Sequence, residues 1–261
     1  MAGTVVLLAV AAGAGEAGGM QRQAKDGSLL SVEGPDGREY TVEEIGARCV
    51  EFEAVKAGKG GFDYRECRVT ESGEFGVVEG DRYYYAAYCL MPNYVDKESK
   101  CGDKSFSASS NSHRGMAILA RDRLSGTTRV VYRIVGAEIG LFHFRKKPLI
   151  VRHGGETLLW LPVTMEGTGH FNDSRYFIWR GGKWERFDGT SWEVDLVRQL
   201  PPGTEPRKGT WPDLKTMTAE VYLYRDGDSN AGPSGGVARV RLRVAATRLE
   251  MVSVRFEQVK E

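Results

Sequence analysis

The stretch that decides the fold is YFIWRGGKWERF, residues 176–187. Two runs rich in aromatic and β-branched residues flank Gly181 and Gly182, and a glycine pair supplies the positive φ angles of a two-residue hairpin turn. The stretch therefore predicts two antiparallel strands joined by a tight turn.

The same alternation of short apolar runs and turn residues continues through the chain. Its 33 glycines cluster in turns such as residues 34–37 and 58–61, a spacing typical of short strands. Residues 157–163 predict a fully buried strand. We expect an all-β, mainly antiparallel fold that is either irregular and propeller-like or two-lobed. A regular propeller is not supported, because residues 176–187 have no second copy at the period of about 40 to 50 residues that it needs. Residues 25–165 would form one β region and residues 166–261 another, within one domain or two.

One helix is predicted near residues 191–200. Thr190-Ser191-Trp192-Glu193 has the pattern of a capping box, in which Thr190 accepts from the N3 amide and Glu193 reaches back. Trp192 and Leu196 lie on one face at helical spacing, and Pro201 ends the segment.

The first 17 residues are apolar and small, which predicts a signal peptide, with a flexible Ala/Gly tail as the alternative because a positive n-region is missing. The apolar run is shorter than the roughly 20 residues of a membrane span, so we expect no transmembrane segment in the mature protein. The predicted location is the periplasm or the extracellular space. A net charge of +1 argues against a nucleic-acid partner.

The four cysteines are Cys49, Cys67, Cys89 and Cys101. Their spacing fits no zinc template and includes no C-x-x-C, so disulfides are the interpretation that suits an oxidising compartment. Three connectivities are possible, and we favour nearest neighbours, Cys49 with Cys67 and Cys89 with Cys101. The loop that contains Tyr94 would then be held at both ends.

Candidate catalytic residues are sparse, since no H-E-x-x-H, G-x-S-x-G or Walker pattern occurs. Glu166, His170 and Asp173 lie within one Gly-flanked polar patch, where carboxylate and imidazole suit acid–base chemistry. The alternative is a polar β-turn closed by an Asx-type hydrogen bond.

A partial calcium loop begins at Asp226, with Asp228 and Asn230 at the following alternate positions. It departs from the EF-hand pattern at Ala231, which replaces the glycine, and at Val237, which replaces the bidentate glutamate. A hairpin turn is the alternative, and we expect no cofactor.

Aromatic residues supply the candidate binding surfaces, with Tyr84, Tyr94 and Trp211 as the residues proposed to contact a ligand. Core packing is the alternative role for such side chains. Residues 239–244 alternate arginine with aliphatic residues, so three arginines share one face of a strand that either binds an anion or is solvated.

The run YRDGDSNAGPSGG, residues 224–236, resembles exported bacterial proteins of uncharacterised function that carry a late G-D-x-N-C-C-P-S-G-G motif. The matching residues are Gly227, Asp228, Asn230, Pro233, Ser234, Gly235 and Gly236. Ala231 and Gly232 replace the two motif cysteines, so any role of those thiols is absent from this chain. The resemblance covers about the last 100 residues. It implies bacterial export and a β-rich fold, and it brings no activity.

These features predict a non-catalytic, exported binding or interaction protein of the bacterial envelope, with an unidentified protein or glycan as its partner. A secreted hydrolase that uses a carboxylate with His170 is one alternative. A purely structural or inhibitor-like protein is the other.

Overall fold

The computed structural model describes residues 31–33, 39–41, 64–92, 113–126, 128–135, 142–143, 147–165, 169 and 171–258. Within these residues the chain is mainly antiparallel β-strand with one short helix, so the predicted fold class is confirmed. No helix in these ranges has the length and hydropathy of a membrane span.

Three sheets dominate the described part of the chain. The first sheet has the order β2-β1-β6-β5-β4-β3 and contains β1 (Ser31–Glu33), β2 (Glu39–Thr41), β3 (Tyr64–Val78), β4 (Asp81–Pro92), β5 (His113–Arg121) and β6 (Thr128–Val135). The middle sheet contains β8 (Leu149–His153), β9 (Glu156–Leu161), β11 (Arg175–Arg180) and β12 (Lys183–Phe187). The last sheet contains β13 (Thr204–Pro206), β14 (Thr218–Arg225), β15 (Gly236–Val244) and β16 (Leu249–Glu257). A further pair joins β7 (Phe142–His143) to β10 (Thr164–Met165).

Each large sheet contains a four-stranded antiparallel meander, the strand arrangement of propeller blades. The predicted hairpin at residues 176–187 is confirmed, because Arg180 pairs with Lys183 across the turn. Gly181 and Gly182 adopt φ angles of 53° and 77°, a region that favours glycine.

Strand β9 of the middle sheet is buried on both faces. Leu159 and Leu161 pack into a core that it shares with the first sheet, whereas Leu158 and Trp160 pack into a second core shared with the last sheet. Alternate side chains of one strand point to opposite faces, so a strand between two cores needs a continuous apolar run. The prediction of a buried strand at residues 157–163 is confirmed for residues 158–161, whereas Thr157 is half-buried and the strand ends at Leu161. The proposed division between residues 165 and 166 stays a prediction.

The helix α1 (Trp192–Val197) is confirmed, but the predicted capping box is wrong. The N-cap is Ser191, and it makes no side-chain cap hydrogen bond. Asp188 closes the preceding turn instead, because its Oδ1 accepts from the backbone N–H groups of Thr190 and Ser191, each at 2.9 Å. The Thr190 hydroxyl donates to the same oxygen at 3.3 Å, and the Glu193 amide donates to the Thr190 carbonyl at 2.9 Å instead of to that hydroxyl.

The last sheet covers the second core with one face and exposes the other. Val240 and Leu242 are buried, while Arg239, Arg241 and Arg243 are exposed, which confirms the alternation predicted for this strand.

Candidate functional site

A groove lies on the exposed face of the last sheet, beside Trp211. Its volume is about 350 Å³. Its lining consists of Trp211, Asp213, Thr218, Ala219, Glu220, Arg239, Val240 and Arg241. We call it the Trp211 groove.

Strand register builds the floor of the Trp211 groove. Thr218 of β14 lies opposite Arg241 of β15, and Glu220 lies opposite Arg239. Because side chains alternate between faces, these two pairs share the exposed face. Polar side chains from two adjacent strands are thereby presented on a rigid sheet.

The wall of the groove comes from the segment that precedes β14. Asp213 and Thr218 exchange backbone hydrogen bonds, with N–O distances of 2.7 and 3.2 Å, so residues 211–213 fold back against the strand. Trp211 is partly buried and packs on the second core. Its ring is thus held by the protein while it also lines the groove.

Asn172 anchors the residue before Trp211. Its Nδ2 donates to the Thr210 carbonyl at 2.7 Å and to the Tyr176 hydroxyl at 3.3 Å, and its Oδ1 accepts from the Ser174 amide at 3.0 Å. Tyr176 is a buried residue of the middle sheet. The Trp211 segment is therefore tied to the rigid interior, which limits its motion before a ligand arrives.

Arg239 is held by two glutamates. It donates to Glu257 at 2.7 Å through Nε and to Glu220 at 2.6 Å through Nη1. The hydrogen bond to Glu257 is the main cause that raises the pKa of Arg239, and the charge of Glu220 adds to it. Arg241, by contrast, makes no hydrogen bond or ion pair with any residue in the described ranges. It leaves an unpaired guanidinium at the groove.

Asp213 acts as a turn-closing acceptor. Its Oδ1 accepts from the backbone N–H groups of Lys215 at 2.8 Å and Thr216 at 3.3 Å. Burial opposes ionisation, but these hydrogen bonds outweigh it and lower the pKa of the Asp213 carboxyl. The carboxylate stays ionised.

The catalytic patch predicted from the sequence lies mostly outside the described residues, which include neither Glu166 nor His170. Asp173 is described, and both its oxygens accept from Arg175, Oδ1 from Nη1 at 2.7 Å and Oδ2 from Nη2 at 3.1 Å. Both oxygens of the Asp173 carboxylate are thus engaged in a bidentate ion pair with Arg175.

The partial calcium loop forms a hairpin turn. Asp228 accepts from the Arg225 amide at 2.7 Å and from the Ser234 amide and hydroxyl, each at 2.8 Å. These donors hold the pKa of Asp228 below its usual value. The Asn230 carbonyl accepts from the Tyr224 hydroxyl at 3.2 Å, and Asp226 is exposed. Across the described ranges, no group of three or more His, Cys, Asp or Glu side chains is placed to hold a metal ion.

Tyr84 and Cys89 are both buried on β4, with relative exposures of 2% and 5%. The ring of Tyr84 is therefore covered by protein. Cys49, Cys101 and Tyr94 lie outside the described residues. Cys67 lies opposite Leu90 in the β3–β4 register, and Cys89 is not a free thiol. The proposed connectivity stays a prediction.

Glu193 is a titratable group whose burial sequence reasoning missed. Its Oε1 is buried and meets no hydrogen-bond partner in the described part of the chain. Burial, with a smaller contribution from the charge of Asp188, raises the pKa of Glu193 to about 7. The capping-box pattern concealed this residue, because it assigned the carboxylate to the helix N-terminus.

Comparisons with known proteins give no family. No protein-family model and no curated protein matches the chain. One solved structure, described as "Crystal structure of a GH43_12 retrieved from capybara gut metagenome", matches with a TM-score of 0.30 and 13% identity. The match covers 69% of this chain and 31% of that one. A likeness at this level carries no argument about fold or activity.

Proposed function

We propose that the protein is a non-catalytic binding protein of the bacterial envelope that holds its ligand in the Trp211 groove. The observation that carries this proposal is the combination of a fixed indole ring and an unpaired guanidinium, Arg241, in one groove. Ligand sites commonly combine an aromatic wall with a few placed polar groups on a rigid scaffold.

The carboxylates of the groove favour binding over catalysis. Glu220 is paired with Arg239, and Asp213 accepts from two turn amides. A general acid or base needs a carboxyl group that exchanges its proton near the working pH. Asp213, whose pKa the turn amides lower, is held as the anion and so serves to accept hydrogen bonds from a ligand.

Export and disulfides belong to the same proposal. The apolar leader in residues 1–17 would direct secretion, and Cys89 with Cys101 would fix the loop that contains Tyr94. Expression with the leader should yield a shortened periplasmic protein, and thiol titration of that protein without reductant should find no free cysteine. Retention of the full-length mass in the cytoplasm would contradict export.

A co-sedimentation experiment tests the binding function. The purified protein should co-sediment with bacterial envelope fragments, and Trp211→Ala should lose most of this retention. Phe256→Ala is the matched control, since Phe256 is a 37% exposed aromatic residue on the same sheet and does not line the groove. Equal retention of wild type and Trp211→Ala would contradict the proposal.

A further inference from the structure

The outer face of the last sheet carries an uneven charge distribution. Glu257 accepts from both Arg239 and Arg255, and Glu250 accepts from both Arg243 and Arg248. Glu220 is a second acceptor for Arg239. These three glutamates thus engage four arginines and none of them reaches a fifth, Arg241.

The unpaired charge lies where a ligand would meet it. Arg241 lines the Trp211 groove beside Thr218, its cross-strand neighbour. A guanidinium offers a planar fork of donors that matches a carboxylate with two parallel hydrogen bonds. The groove therefore has an anion-binding end at Arg241 and an aromatic wall at Trp211.

The other groups of the groove suit hydroxyl groups. The carboxylates of Glu220 and Asp213 are acceptors, and the Thr218 hydroxyl is both donor and acceptor. A sugar ring presents hydroxyl groups at its rim and an apolar face that fits against an indole. A uronic acid adds one carboxylate to that ring.

An extended peptide fits this groove less well. Strand β15 is interior, because it pairs with β14 and β16. The other side of β14 is covered by β13 at Leu223–Arg225 and by Asp213 at Thr218. Only the few residues of β14 between these two contacts are open to a further strand, so a peptide could add there over a very short length.

We infer that the ligand of the Trp211 groove is an acidic saccharide, whose carboxylate binds Arg241 and whose ring stacks on Trp211. This inference rests on the proposed binding function. It adds the chemical class of the ligand and a specificity-determining role for Arg241.

The probe is an oligomer of galacturonic acid, compared with the same oligomer after its carboxyl groups are reduced to alcohols. Isothermal titration of the full chain should show at least tenfold tighter binding of the acidic form. Arg241→Gln should remove about tenfold of that affinity, so that the variant no longer distinguishes the acidic from the reduced oligomer. Arg243→Gln is the matched control, because Arg243 is in the same strand face and is paired with Glu250 outside the groove.

The remaining outcomes separate the two proposals. If the wild type binds both oligomers equally and Trp211→Ala loses that binding, the ligand is not specifically acidic, while the proposed binding function stands. If the wild type binds an acidic peptide and not the oligomers, and Trp211→Ala loses that binding, the ligand is not a saccharide, while the proposed binding function again stands. An equal loss in Arg243→Gln would overturn the role of Arg241. If wild type binds neither the oligomers nor an acidic peptide, the inference fails, and the proposed function fails with it when envelope co-sedimentation is also negative.

Discussion

Ser234 donates two hydrogen bonds to Asp228, one from its backbone N–H and one from its hydroxyl, each at 2.8 Å. Together with the Arg225 amide they direct donors at both oxygens of the carboxylate. Oδ2 accepts from the two amides and Oδ1 from the hydroxyl, so the carboxylate closes the turn and is poorly placed to ligate a cation. Asp228 and Ser234 of the run at 224–236 thus have a structural role in this turn.

This geometry predicts the response to calcium. We expect the thermal midpoint of the protein to be the same with calcium and with a chelator. Asp228→Ala should lower the midpoint by about 2–4 °C, since three donors lose their acceptor. Differential scanning calorimetry measures both. A rise in the midpoint on adding calcium, abolished by Asp228→Ala, would show that the turn is a metal site.

Glu193 predicts a pH dependence of stability. Its folded pKa of about 7 lies above the ordinary value of 4.5, so the folded protein binds the Glu193 proton more tightly than the unfolded chain does. The free energy of unfolding that this proton contributes is fully present below pH 4.5 and is lost as the pH rises through 7. Glu193→Gln cannot ionise. It should raise the free energy of unfolding at pH 8 by about 2 kcal/mol and change it little at pH 4.

Urea unfolding of wild type and Glu193→Gln at the two pH values measures this difference. Asp195→Asn is the control, because Asp195 is on the same helix and is paired at the surface with Arg198. A Glu193→Gln variant less stable than wild type at pH 8 would mean that the carboxylate is stabilised in the fold.

Gly189 leaves room for the ring of Tyr176. A Cβ at Gly189 would lie 2.3 Å from that ring, which is far inside van der Waals contact. Gly189→Ala should destabilise the protein by about 1–3 kcal/mol, the usual cost of overpacking a core. Gly232→Ala is the control, since its nearest neighbour would be the Ser229 hydroxyl at 3.4 Å. Chemical denaturation compares the two, and equal stability would contradict the packing described around Tyr176.

Leu161 tests the buried middle sheet. It is fully buried in the core that this sheet shares with the first sheet, so Leu161→Ala should cost about 2–5 kcal/mol. Leu124 is 90% exposed, and Leu124→Ala should change the free energy of unfolding by less than about 0.5 kcal/mol. Equal effects of the two substitutions would place Leu161 outside a packed core.

The success of sequence reasoning depended on how local each signal is. The hairpin around Gly181 and Gly182 was predictable because its turn chemistry lies within two residues, and the alternation around Val240 because it lies within one strand. The capping box was wrong because an upstream side chain, Asp188, accepts from the Thr190 amide that Glu193 would need, and the Glu193 amide donates to the Thr190 carbonyl. Nothing within residues 190–193 encodes that competition.

The groove itself was only partly predictable. Trp211 and the arginine row were recognised as separate binding candidates, but their proximity depends on the pairing of Asp213 with Thr218 and on the β14–β15 register. The unpaired state of Arg241 depends on which glutamates its neighbours engage across three strands. Such long-range pairing has no signal in a single sequence.

The most direct test of the central claim follows the Trp211 indole N–H by NMR during titration with an oligomer of galacturonic acid. The chain has 5 tryptophans, and Trp211→Phe identifies the signal by its loss. We predict a saturable shift of this signal, while the signal of the fully buried Trp192 stays in place. If the Trp211 signal does not move under titration with the acidic oligomer, its reduced form or an acidic peptide, the groove is not a ligand site.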